Sequence, residues 1–99
     1  MISPSVPFDF SFRDELLRDP ENAAIYLADC LEDGDIELFQ EALRHVAKAQ
    51  EGGVKGVAEH ANLNRENLYR ALSKSGKPQL ETVSKMLGAM GLKFTVTPA

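Results

Sequence analysis

Residues 54–72, VKGVAEHANLNRENLYRAL, constrain the fold more than any other stretch of the chain. Val54, Val57, Ala58 and Ala61 recur at i, i+3, i+4 and i+7, the spacing of one helix face. Ala58 and Ala61 are small, so a second helix can cross close above them. Asn62 is a helix stop, because asparagine tolerates the left-handed backbone that ends helices. Leu63 supplies an apolar plug for the turn, and Asn64 is a good N-cap whose side chain can accept from the N–H of Glu66 or Asn67. Leu68 and Leu72 form the buried stripe of the helix that follows. The spacing predicts two short helices joined by a tight turn.

Such a pair, with a basic second helix, has the pattern of a DNA-reading helix-turn-helix. Specific DNA binding needs base contacts for discrimination and phosphate contacts for affinity. Arginine pairs bidentately with guanine, asparagine pairs with adenine, and glutamate accepts from cytosine. Asn64, Arg65, Glu66, Asn67, Tyr69 and Arg70 are therefore the candidate base-reading residues, with Asn64 serving also, or only, as a cap. Lys55, Lys74 and Lys77 flank the pair and are the candidate phosphate contacts, together with the N–H groups that open the Lys55 helix. The plainer alternative is a helical hairpin of an ordinary all-α core whose charges are merely solvated.

A net charge of −4 argues against nucleic acid until the chain is divided. Residues 1–53 hold four Lys/Arg and twelve Asp/Glu, giving −8; residues 54–99 hold seven and three, giving +4. This asymmetry suggests two partners of opposite charge, although acidic helices can also serve solubility alone. A locally basic surface still attracts phosphates on an acidic molecule. Ninety-nine residues suit one domain, and 43% apolar with 26% charged residues is an ordinary globular composition. No run approaches the ~20 apolar residues of a membrane span, and MISPSVPFDFSF has no secretory pattern, so a cytoplasmic location away from membranes is expected. The single cysteine, Cys30, lies beside Leu27 and Leu31 in a helical pattern and reads as a small buried hydrophobe.

The rest of the chain predicts an all-α protein with one short strand. Residues 1–11 contain two prolines and no helical period, so they read as an arm. Phe8, Phe10 and Phe12 alternate with polar residues, as in an extended segment packed on this protein or a partner. Asp19, Pro20 and Glu21 announce a helix with the stripe Ala24, Leu27, Ala28 and Leu31, ended by Gly34. Asp35 caps a longer helix over about residues 36–50, lined by Phe39, Ala42, Leu43, Val46 and Ala47, and Gly52-Gly53 breaks it. SKSGKP, residues 73–78, is a loop. A helix over about residues 79–90 buries Leu80, Val83, Met86, Leu87 and Met90. After Gly91, the period-two alternation of Leu92, Phe94 and Val96 predicts a strand over residues 92–97. A lone strand needs an edge to pair with. The same strand of a second copy, the Phe8-to-Phe12 arm and a partner's sheet are the three choices. Dimerisation through Leu92, Phe94 and Val96 is the reading that also supplies the two heads a two-fold DNA site requires.

Catalytic and metal chemistry find little support. His45 and His60 have no Cys or His at metal-ligand spacing, and neither a phosphate loop nor a nucleophile elbow is present. The carboxylates Asp29, Glu32, Asp33, Asp35 and Glu37 do not follow a calcium-loop pattern and read as a solvated helix junction. No enzyme activity, cofactor or metal is expected.

Three segments carry a resemblance. LRDPENAAIYLADCLEDGDIELFQEALRHVAKAQ, GVAEHANLNRENLYRALSKSGKP and LETVSKMLGAMGLKF together resemble addiction-module antidote proteins of the HigA type, helix-turn-helix antitoxins related to phage Cro/C1 repressors. Asn62 departs from the glycine usual in related reading heads. The arm before residue 13 lies outside the resemblance. It implies an all-α, five-helix Cro/C1-like helix-turn-helix fold with an N-terminal helical extension and a short C-terminal strand, in which residues 1–34 are the N-terminal arm and helix and residues 35–99 the DNA-binding domain. It also implies a type II antitoxin that neutralises a small basic toxin of the RelE/HigB type and represses its own operon by binding operator DNA as a homodimer. The acidic first half suits the basic toxin, with residues 1–34 as the candidate contact. A stand-alone phage-type repressor with no toxin is the alternative.

Overall fold

In the computed structural model, which describes residues 10–99, six helices follow one another. They are α1 (Phe10–Leu17), α2 (Pro20–Glu32), α3 (Ile36–Ala49), α4 (Gly53–Ala61), α5 (Arg65–Leu72) and α6 (Leu80–Ala89). Asp19 caps α2 by accepting from Glu21 N at 3.0 Å, with Pro20 in the first turn. Asp35 caps α3 by accepting from Leu38 N at 3.0 Å. Gly56 lets α4 lie close to the chain that enters it, since a Cβ there would stand 2.6 Å from the Glu51 carbonyl oxygen.

The core is built around α3. Its Phe39, Ala42, Leu43, Val46, Ala47 and Ala49 are buried, as the helical period predicts for the first five. α1 and α2 pack on one side of α3, and α4 and α5 on another, while α6 packs on α4. Val83, Met86, Leu87 and Met90 close the core from α6, with the methionines as apolar fillers. Among the described residues, no helix is long and apolar enough to cross a membrane.

Four expectations change. The predicted arm contains a helix, so Phe10 and Phe12 lie in α1, while Phe8 falls outside the described residues. Among the described residues the helices number six, not five. Local and distant contacts hold α1: Leu17 is buried, Asn22 Nδ2 donates to Leu16 O at 3.1 Å and Gln50 Nε2, more than thirty residues away, to Leu17 O at 3.1 Å. Arg18 Nε also donates to Ala49 O at 2.6 Å. Asn22 and Gln50 satisfy carbonyls that the short α1 otherwise leaves open, and Arg18 satisfies one at the end of α3.

The second change is at the other end. Residues 92–97 form no strand, nor does any strand occur among the described residues. Leu92 N instead donates to Leu87 O at 2.7 Å, closing α6 behind Gly91 at φ +78°. Leu92 packs against the core, whereas Phe94 is exposed and Val96 is 95% exposed. A strand exists only when another backbone completes its ladder, and the described residues offer none here. Third, α2 is rotated from its predicted stripe: Ala23, Leu27 and Cys30 are buried, while Ala24, Ala28 and Leu31 are exposed. The α2–α3 contact turns Tyr26 inward, where its hydroxyl lies 3.0 Å from His45 Nδ1. Fourth, Leu80 opens α6 at 73% exposure and is not a core residue.

Candidate nucleic-acid interface

The turn between α4 and α5 is made by its own residues. Asn62 adopts φ 57°, ψ 45°, the left-handed region, and is the only positive-φ residue other than glycine among those described. Its N–H donates to Glu59 O at 3.2 Å and the Leu63 N–H to Ala58 O at 2.8 Å, the paired closure of a Schellman motif. Leu63 packs against the core and pins the turn. Asn64 caps α5, its Oδ1 accepting from Asn67 N at 3.0 Å. Its acceptor oxygen is thus committed to the helix start.

α5 then buries only Leu68 and Leu72, half-buries Ala71 and turns the rest outward. Arg65, Glu66, Asn67, Tyr69 and Arg70 are all exposed, so the structure brings the predicted base-reading side chains onto one short helix. Glu66 in its first turn and Arg70 in its last complement the helix dipole. Lys55, in the first turn of α4, and Lys74 and Lys77, in the loop after α5, are exposed as well. Among the described residues, none of these lysines nor Arg65 or Arg70 is in an ion pair.

Sequence reasoning missed what holds the far end of α5. Gln40 and Arg44, one turn apart on α3, reach its open carbonyls. Arg44 Nη1 donates to Leu72 O at 2.9 Å, and Gln40 Nε2 sits among the carbonyls of Ala71 (3.2 Å), Ser73 (3.1 Å) and Gly76. The 73–78 loop folds back so tightly that a Cβ on Gly76 would collide with the carbonyl oxygens of Arg70 and Ala71. That glycine carries Lys74 and Lys77 around the end of α5. The available signal was a polar pair four residues apart beside the apolar stripe of α3, which reads equally well as solvent-facing.

Leu92, Phe94 and Val96, the predicted dimerisation strand, lie on the segment after α6, where Phe94 lines a groove with Lys74, Lys77 and Pro78 of the loop after α5. Burial, together with the nearby Arg13 guanidinium, pulls the His45 pKa below its ordinary 6.5, while Glu41, 3.8 Å away, opposes this. Burial and the neighbouring Cys30 push the Tyr26 phenol above its ordinary value, so the hydroxyl that pairs with His45 Nδ1 stays protonated. Burial likewise pushes the Cys30 thiol up, away from thiolate chemistry. His60 is exposed, with Nδ1 2.9 Å from Gly56 O. Among the described residues, no three His, Cys, Asp or Glu side chains are grouped to hold a metal ion.

Comparison with known proteins adds the family. A family model described as "Probable addiction module antidote protein" matches residues 6–98. A relative from Haemophilus influenzae, named only as an uncharacterized protein, is 36% identical over 88 residues, covering 89% of this chain and 88% of its own. No solved structure matches the chain significantly. A match across nearly the whole chain, on a helical body with this turn, means that the protein belongs to the addiction-module antidote family.

Proposed function

We propose that this antidote is a DNA-binding antitoxin of the HigA type, with a Cro/C1-like helix-turn-helix formed by α4 and α5. The observation that carries the reading is the outward face of α5, where Arg65, Glu66, Asn67, Tyr69 and Arg70 project from a helix fixed at both ends. A helix so presented enters a major groove with its first turn at the base edges. Asn64 contributes chiefly as the cap, and Lys55, Lys74 and Lys77 hold phosphates. The antitoxin acts in the cytoplasm as a homodimer. A two-fold operator needs two reading heads roughly 34 Å apart, and the exposed Phe94 and Val96 offer apolar surface to a second copy.

An antidote implies a toxin. We place its contact in the acidic residues 1–34, with a toxin of the RelE/HigB type, and place operator binding in residues 35–99. The antitoxin neutralises by covering the toxin and performs no catalysis of its own. A mobility-shift titration with the DNA upstream of its operon tests the operator-binding part. The wild type shifts that fragment at concentrations that leave random DNA free, and each truncated reader loses about 1–3 kcal/mol of discrimination. Arg65→Ala with Arg70→Ala abolishes the specific shift, while Lys74→Ala weakens all DNA alike and lowers the salt slope by about one unit. A specific shift that survives the double arginine change refutes α5 as the reader.

A further inference from the structure

Residues 19–43 carry eight Asp and Glu side chains and no Lys or Arg. The fold turns much of this segment outward. On α2, Ala24, Ala28 and Leu31 follow at i, i+4 and i+7 and are exposed, with Ile25 beside them at 62% exposure. Ile36, at the start of α3, is 65% exposed. Glu21, Asp29 and Glu32 are interleaved with this apolar band, and Asp33, Asp35 and Glu37 surround Ile36. Among the described residues, none of these six carboxylates is in an ion pair.

An apolar band carrying six unpaired carboxylates, with Lys93 the cation that lines the groove along Ala24, Ala28 and Leu31, limits what can cover it. Nucleic acid and anionic membrane surfaces are repelled. A second copy is disfavoured too, because a two-fold axis through this face sets α2 against α2, with carboxylates facing carboxylates. A protein surface that offers an apolar ridge flanked by Lys or Arg satisfies both features, with potentials of opposite sign across the contact. We propose that the exposed face of α2, continued by Ile36, is the toxin-docking surface, and that the toxin meets it with a cationic surface around an apolar ridge. This inference rests on the antitoxin reading above and gives that partner a location and a chemistry. Helix α5 itself is not part of this surface, since α2 packs on α1 and α3 while α5 packs on α3 and α4, although Leu31 and Ile36 share a groove with Lys74 and Lys77 of the loop after α5.

Calorimetric titration of the full chain with the purified products of the two reading frames flanking its gene tests both levels. If the wild type binds neither product, the antitoxin reading fails and this inference falls with it. If it binds one, Ile25→Lys with Ala28→Lys is expected to weaken that binding about 100-fold, as loss of a central contact does. Asp29→Asn with Glu32→Gln, nearly isosteric and safe for folding, is expected to weaken it about 10-fold and flatten its salt dependence. Both variants should keep the wild-type circular dichroism. If the lysine pair disturbs the fold, the neutralising pair decides alone. Wild-type affinity in the well-folded variants, or tight binding with no salt dependence, overturns the α2 surface and leaves the antitoxin reading intact.

Discussion

Helix α3 places six residues in the core along its length, whereas α5 places two. The first is fixed by packing. The second is fixed mainly by hydrogen bonds at its ends: the Asn64 cap at the start, and Gln40 and Arg44 from α3 at the finish. The difference teaches how a surface helix stays ordered without spending its outer face on the core. Each buried side chain of α3 excludes water, while each polar anchor of α5 satisfies a backbone group the helix leaves open.

The contrast can be broken from either side. Leu43→Ala removes a fully buried side chain from α3 and should cost about 2–5 kcal/mol of global stability in urea denaturation. A loss below ~1 kcal/mol would mean that packing on α3 is not what holds the fold. Gln40→Ala should cost less, about 1–3 kcal/mol, because it leaves part-buried carbonyls of α5 and its loop without their donor. Hydrogen exchange sharpens this case: amides of α5 should lose protection before those of α3, and uniform loss across both helices would count against a local anchor. Asn64→Ala should cost ~1 kcal/mol through the lost cap, with the Asn67 amide exchanging faster. The smallest effect concerns α2 and α3. His45 has a folded pKa below its ordinary 6.5, so the unfolded chain takes up that proton first on acidification. Its contribution is fully present above pH ~6.5 and is lost as the pH falls from there through the lowered folded value. Thermal melts from pH 7.5 to 5.5 should show a decline that His45→Asn removes. An equal decline in the variant would assign the effect to other groups.

Much of this was legible because it is local. The Asn62-Leu63-Asn64 turn is written in three adjacent residues, each suited to its backbone state or contact. The α3 stripe was legible because five apolar residues recur at one period. α1 was not, because its ordering depends on Gln50, more than thirty residues away, and on the Arg18–Ala49 contact. Alternation in Leu92, Phe94 and Val96 marks a chain able to extend, but a ladder also needs a second backbone. In this chain Leu92 is drawn into the closure of α6. The rotation of α2 escaped for a related reason: Ala24 and Ala23 are alike to a periodicity, and packing against the rest of the fold, where Ala23 and Cys30 join the core and Tyr26 meets His45, distinguishes their faces. Gln40 and Arg44 show the same limit at the candidate site, since a polar side chain on a helix has no marker for a carbonyl it meets from another helix.

Because α5 is secured at its ends and by two leucines, its five exposed residues from Arg65 to Arg70 are nearly uncoupled from folding. Over evolutionary time that makes them an exchangeable cassette. Lineages can drift at these positions without first acquiring compensating changes in the core, so the surface they present can diverge between copies much faster than the scaffold beneath it.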